Sequence, residues 1–216
     1  MSPIVVGIAG GSGSGKTTLA RALYDQLGDD ACCIVDQDAY YRDLEALSMA
    51  ERLQVNFDAP DAFEIALLTA HIDALKAGRS IDKPQYDFAR HTRASTTERI
   101  RTRPIILVEG ILVLAIDAIR ERLDYRVFVE TSTELRFARR VHRDHSERGR
   151  DVAGICRQFT DVVQPMHDRL VEPSRKHADL IVRGNTKRDA TRTLLAAGLA
   201  ALARSNTPNA SLSSGF

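Results

Sequence analysis

The chain has no tryptophan, only five tyrosines and seven phenylalanines, and just five lysines beside 25 arginines. Its three cysteines are an odd set, two of them adjacent at Cys32 and Cys33. Such a set builds no disulfide framework, and no partner ligands stand at metal-site spacing. No apolar run approaches the roughly 20 residues of a membrane-spanning helix. The opening MSPIVVGIAG has no basic stretch ahead of its apolar residues, so it does not read as an export signal. A large charge of one sign is missing too. Thirty Lys and Arg against 29 Asp and Glu leave a formal +1. That balance excludes a generally basic, nucleic-acid-coating surface but leaves room for a local anion site. What remains is a chain of 216 residues, 44% apolar, long enough to bury a core as one domain and expected in the reducing cytoplasm.

Residues 3–9 (PIVVGIA) are a short β-branched apolar run, as in a buried parallel strand. Glycines interrupt it, and Lys16 to Leu27 then place Leu19, Ala20, Leu23 and Leu27 at helical spacing. Further strands are expected at 31–35, 105–110, 125–129 and 178–182. Helices are expected from Pro60 to about 77 with Phe63 on the apolar face, over 131–150, over 151–169 with a break at Pro165, and over 188–204. Positions 81–100 suit a small projecting hairpin. Strands alternating with helices predict an α/β fold, a three-layer α/β/α sandwich around a mostly parallel central sheet. Residues 1–204 read as one domain, with a hairpin region at about 80–101 and a lid at about 136–155. The uncharged stretch 205–216 reads as a flexible tail.

The segment Gly10-Gly11-Ser12-Gly13-Ser14-Gly15-Lys16-Thr17 matches G-x-x-x-x-G-K-[ST] in full, between a strand and a helix. Glycines let successive backbone N–H groups turn toward phosphate oxygens at the positive end of the helix. Lys16 then reaches the β- and γ-phosphates, and the Thr17 hydroxyl faces Mg²⁺. The motif predicts a P-loop nucleoside triphosphate hydrolase-like fold.

In such sheets ligands lie beyond the carboxyl ends of the strands. Three acids end strands there: Asp36, Asp38 and Glu109. Asp38, past its strand, is placed to accept a proton from a substrate hydroxyl attacking the γ-phosphorus. Asp36 reads as a loop cap or a ligand to Mg²⁺-bound water. Glu109 suits either a Mg²⁺-linked role or a structural ion pair. Arg136, Arg139, Arg140, Arg143, Arg148 and Arg150 put six guanidinium groups in fifteen residues, four of them on one helical face. A solvated face neutralised by Glu134, Asp144, Glu147 and Asp151 is one account of them. An arginine lid over the phosphates is the other.

Six of the twelve aromatic residues fall between positions 40 and 88. Phe57 with Asp58, and Tyr86 and Phe88 with His91, each combine a ring with a polar group, as a pocket for a planar ligand requires. These rings serve equally well as core.

Taken in order, GGSGSGKTT (10–18), QDAYY (37–41), NFDAPDAF (56–63), YDF (86–88) with His91 and Arg93, EGI (109–111), RRVHRDHSERGR (139–150), Gln158-Phe159, EPS (172–174) and ADLIV (178–182) resemble the uridine kinase family, relatives of phosphoribulokinase. The resemblance spans roughly residues 4–184. It implies transfer of the γ-phosphate of ATP or GTP to the 5′-hydroxyl of uridine or cytidine. Asp38 would be the base, supported by Tyr41. Gly10 through Thr18 would hold the donor with Arg143 and Arg148, and Thr17, Glu109 and Asp38 would organise Mg²⁺. Phe57, Asp58, Tyr86, Phe88, His91, Arg140, Arg150 and Gln158 would line the acceptor. The resemblance further implies a cytosolic homotetramer inhibited by CTP or UTP. Two departures bear on the substrate: Ala59 stands where the family usually has His, and Phe159 where it has Tyr. A kinase for another small alcohol and a non-catalytic nucleotide-binding module are the rival readings.

Overall fold

The computed structural model describes residues 2–184 and 189–205, the side chains of 189–191 excepted. Five strands form the central sheet: β1 (Ile4–Ala9), β2 (Cys32–Asp36), β5 (Ile105–Glu109), β6 (Tyr125–Glu130) and β7 (Leu180–Arg183), all parallel and in the order β2-β5-β1-β6-β7. The helices in chain order are α1 (Lys16–Leu27), α2 (Met49–Arg52), α3 (Ile65–Lys76), α4 (Asp117–Arg120), α5 (Thr133–Ser146), α6 (Val152–Gln158), α7 (Gln164–Met166), α8 (Glu172–Ser174) and α9 (Asp189–Ser205). An antiparallel hairpin of β3 (Ile81–Asp87) and β4 (Thr92–Ile100) stands apart from the sheet.

Alternation along the strands builds the three layers. Ile4, Val6 and Ile8 face one side with Leu107 and Val127, and there pack against Leu19 and Leu23 of α1 and Leu199 of α9. Val5, Ala9, Ile106 and Val108 face the other side, against Leu68, Ile72 and Leu75 of α3 and Ile119 of α4. The adjacent cysteines obey the same period of two: Cys32 belongs to the first core and Cys33 to the second. Burial pushes their thiols up to about 12 and about 11, so both are inert packing residues.

Two expectations fail for physical reasons. Phe63 is not on a helix. A short 3₁₀ turn covers Pro60–Ala62, Phe63 bridges to Tyr41, and α3 starts only at Ile65. The ring is nonetheless fully buried, which is why its apolar pattern looked helical. Pro165 does not break its helix. Helical backbone runs from Val152 to Ser174 through two π-helical segments, Phe159–Val163 and His167–Val171, one on each side of the proline. Widened turns accommodate a ring that lacks an N–H and crowds the preceding turn. Position 188, at the expected start of the last helix, and the tail beyond Ser205 lie outside the described residues.

Candidate active site

The glycine loop is held from behind by α5. Gly13 has φ +79°, and a Cβ there would overlap the backbone carbonyl of Arg136. A Cβ on Gly11 would meet Arg136 Nη1 and His167 Nδ1, each at 2.8 Å. Arg139 donates to the carbonyls of Ser14 (3.2 Å) and Gly184 (3.1 Å), and Thr131 donates to Ser14 O (2.9 Å). Within the loop, Gly10, Gly11 and Ser14 are therefore buried. Gly13, Gly15, Lys16, Thr17 and Thr18 line a cavity of 1060 Å³.

His167 belongs to this backing. Burial, aided by the Arg136 charge, holds it down to about 4. Glu172 lies 3.6 Å away but is nearly half exposed, so it does not reverse the shift. Unfolding releases the imidazole to its ordinary value of about 6.5, so the unfolded chain binds the proton first as pH falls. The stability that neutral His167 contributes is present above pH ~6.5 and is lost progressively toward pH ~4, by up to about 3 kcal/mol. Thermal melts from pH 7.5 to 4.5 should show a steeper acid decline for the wild type than for His167→Gln. Equal declines would mean that another group sets the acid sensitivity.

The carboxyl ends of β2 and β5 bring the acids together, Asp36 beside Glu109 in register. Glu109 is 6% exposed, its carboxyl raised by burial, and it accepts from the Thr17 hydroxyl at 2.9 Å. Its other oxygen is buried with no hydrogen-bond partner among the described residues. Asp38 sits on the 3₁₀ turn Gln37–Tyr40 and lines the same cavity as Lys16, Thr17 and Glu109. Asp36 stands at the N-cap position of that turn without a side-chain cap bond; its carboxylate pairs instead with Lys83 of the hairpin, which also meets Glu98 at 3.1 Å. Gln37 went unnoticed in the sequence. It is fully buried, accepts from Leu112 N at 3.0 Å, and fills the space where a side chain on Gly110 would be. That contact locks the Asp38 turn to the end of β5.

Among the described residues no group of three or more His, Cys, Asp or Glu side chains could hold a metal by itself. A hydroxyl, an unpartnered buried carboxylate oxygen and a nearby second carboxylate do suit Mg²⁺, which usually completes its shell with waters and phosphate oxygens.

The arginines divide into two sets. Arg136 is 1% exposed and Arg139 grips loop carbonyls, so both fasten α5 to the glycine loop. Arg143 and Arg148 line the cavity, and Arg139 reaches it as well. Arg140 donates to Ser12 Oγ (2.8 Å) and Gln158 Oε1 (2.9 Å). The solvated-face account does not hold, because none of these four α5 arginines is exposed. One of its acids is real, however. Asp144, with no exposed surface, pairs with Arg143 at 2.9 Å, Arg150 at 3.3 Å, and Arg140 and Arg148 at 3.5 Å each.

The aromatic cluster assembles beside the acids. Tyr41 stacks on Phe63 (4.3 Å), stands edge-on to Phe57 (5.2 Å) and lies tilted against Tyr86 (5.1 Å). Phe57 stacks on His91 at 5.1 Å, and Arg148 lies 4.5 Å over the Phe88 ring. His91 is the one non-glycine residue with positive φ (49°) among the described residues, a strained placement of the kind held at binding sites. Burial, with Arg150 and Arg148 nearby, lowers its pKa and keeps it neutral. The Tyr86 hydroxyl is buried without a hydrogen-bond partner among the described residues, and burial moves it up to about 12. Asp58 is 9% exposed, its carboxyl raised by burial against the opposing pull of Arg140, and Asn56 Oδ1 accepts from its backbone N–H at 3.0 Å.

A glycine loop leading into a helix, Lys16 and Thr17 at its start, acids at the neighbouring strand ends and arginines on the facing helix define a P-loop kinase. Solved kinases share the fold: phosphoribulokinase from Rhodobacter spheroides (TM-score 0.62, 15% identity, 84% of this chain and 70% of that one) and D-glycerate 3-kinase from Cryptococcus neoformans (TM-score 0.57, 14%, 87% and 88%). The profile of the Phosphoribulokinase / Uridine kinase family matches residues 5–191, and the chain belongs to that family. Among its relatives are proteins named uridine kinase from Chloroflexus aurantiacus (48% identity, covering 84% of this chain and 87% of the relative) and Geobacillus kaustophilus (46%, 83% and 85%). No described helix is long and apolar enough to cross a membrane.

Proposed function

We propose that the protein transfers the γ-phosphate of ATP or GTP to the 5′-hydroxyl of uridine or cytidine, giving UMP or CMP for pyrimidine salvage. The observation that carries this reading is the pair of unspent hydrogen-bonding groups in the aromatic cluster. These are the partnerless Tyr86 hydroxyl and the neutral His91 ring, which suit the polar edge of a planar base. Kinship with proteins named uridine kinase supports it.

In this reading Phe57 and Phe88 wall the base, while Asp58, Arg140, Arg150 and Gln158 surround the ribose. The 5′-oxygen then lies before Asp38, which takes its proton as the oxygen attacks phosphorus. Tyr41, its ring wedged between Phe63 and Phe57, supports Asp38. The loop N–H groups and Lys16 hold the phosphates, and Arg143 and Arg148 neutralise charge on the moving phosphoryl group and exclude water. Thr17, Glu109 and Asp38 would hold Mg²⁺, which would supply positive charge against the donor phosphates. The proposal extends to a cytoplasmic homotetramer subject to inhibition by CTP or UTP, as the resemblance of the motifs implies.

A phosphosugar acceptor would need spare cations near the hairpin. Of the two arginines near the hairpin turn, Arg93 is committed to Glu64 (3.0 Å) and the Tyr41 carbonyl (3.1 Å), while Arg90 is exposed. A panel of uridine, cytidine, thymidine, adenosine, ribulose 5-phosphate and pantothenate with ATP tests the reading. Turnover should favour the two pyrimidine ribonucleosides by at least ~10²-fold, a floor below the ~10⁴-fold that a site built to hydrogen-bond its substrate can reach. Inactivity on both would overturn it.

A further inference from the structure

Asp144 has the least exposed carboxylate of the arginine helix and touches both halves of the site at once. Its Oδ1 faces Arg143 and Arg148, the arginines that line the phosphate cavity. Its Oδ2 faces Arg140 and Arg150, the arginines on the ribose side. Arg150 is also tied through its backbone N–H to the Asp144 carbonyl at 3.1 Å. Arg148 continues the chain of contacts to the acceptor hairpin, its guanidinium 4.5 Å over the Phe88 ring. One carboxylate is thus shared by four guanidinium groups, with Asp58 near Arg140 and Asp38 near Arg148 as further negative charge around the cluster.

We propose that Asp144 is a positioning residue that makes binding of nucleoside and triphosphate synergistic. The inference rests on the nucleoside kinase reading. A triphosphate compensates Arg143 and Arg148, which releases the Asp144 charge to hold Arg140 and Arg150 in place for the ribose. By linkage, a bound nucleoside that fixes Arg140, Arg150 and Phe88 strengthens the hold of Arg143 and Arg148 on the triphosphate by the same factor. Without the carboxylate the four guanidinium groups repel one another and each answers to its nearest ligand alone.

Calorimetric titration of a non-hydrolysable ATP analogue, with and without saturating uridine, reads the coupling directly. Uridine should tighten the analogue at least ~5-fold in the wild type and less than ~2-fold in Asp144→Asn. The analogue alone should bind the variant no more weakly, because a negative charge has been removed from its site, while kcat falls about 10²-fold through misplacement. A residue that merely supported the fold would weaken the analogue alone in step with the melting temperature, and that outcome overturns the proposal, as does full synergy in Asp144→Asn. Phe88→Leu, on the half-buried hairpin, decides the matter if Asp144→Asn does not fold: synergy should fall with kept analogue affinity, and unchanged synergy contradicts the proposal. A wild type that phosphorylates uridine without synergy overturns the inference and leaves the function standing. A wild type that does not bind uridine overturns both.

Discussion

Asp38→Asn should lower kcat by about 10³-fold while the affinity for a non-hydrolysable ATP analogue stays within about twofold. The size follows from what the substitution removes. Asn keeps the shape on the 3₁₀ turn Gln37–Tyr40, so the buried Gln37 anchor and the Tyr40 and Tyr41 packing survive. It cannot accept a proton from the attacking hydroxyl. In the proposed reading, grip on the phosphates comes from the loop, from Lys16 and from the arginines that line the same cavity, and the Asn amide oxygen still offers Mg²⁺ a neutral oxygen. A loss confined to kcat marks a group acting in the transition state, whereas an equal loss of analogue affinity would assign Asp38 to binding. Retention of full turnover would remove it from the chemistry altogether.

Gly13→Ala is expected to have the largest effect on the fold. Two penalties combine at one atom. The backbone at φ +79° disfavours any side chain by about 1–2 kcal/mol, and the new methyl would overlap the Arg136 carbonyl, a backbone atom inside α5 that cannot swing aside. Together they should cost about 3 kcal/mol and lower Tm by roughly 10 °C for a chain of this size. Because relief requires α5 to lift from the loop, the affinity for ATP should fall as well. Gly198→Ala is the internal contrast: it lies in α9 with nothing within 4 Å of its added methyl, and should raise stability by about 0.5–1 kcal/mol. Equal Tm for Gly13→Ala and the wild type would show that α5 does not constrain the loop.

These cases show where the sequence was legible. Strands such as IILVE at 105–109 announce themselves because both faces are buried, and the glycine loop because its chemistry demands a fixed spacing. The acids at 36, 38 and 109 followed from topology, since parallel strands end at the same edge. What stayed hidden depends on distant partners. The motif tolerates any residue at positions 11 and 13, and only the approach of Arg136 and His167 shows why glycine stands there. The charge run at 136–150 could not tell which arginines fasten the glycine loop and which gather around Asp144, because those partners lie outside any local spacing. Gln37 and the π turns around Pro165 likewise carry no local signature. Asp36 was visible, but its Lys83 partner belongs to a hairpin 47 residues away.

The central claim is phosphoryl transfer onto a pyrimidine ribonucleoside at the site bounded by Asp38 and the hairpin. The most direct measurement is ³¹P NMR of the products after incubation of the wild-type protein with uridine, ATP and Mg²⁺. A phosphomonoester on the 5′-oxygen, formed mole for mole with ADP, is the expected result. ADP formed without a nucleotide product, or a phosphate on another oxygen of the ribose, would contradict the account.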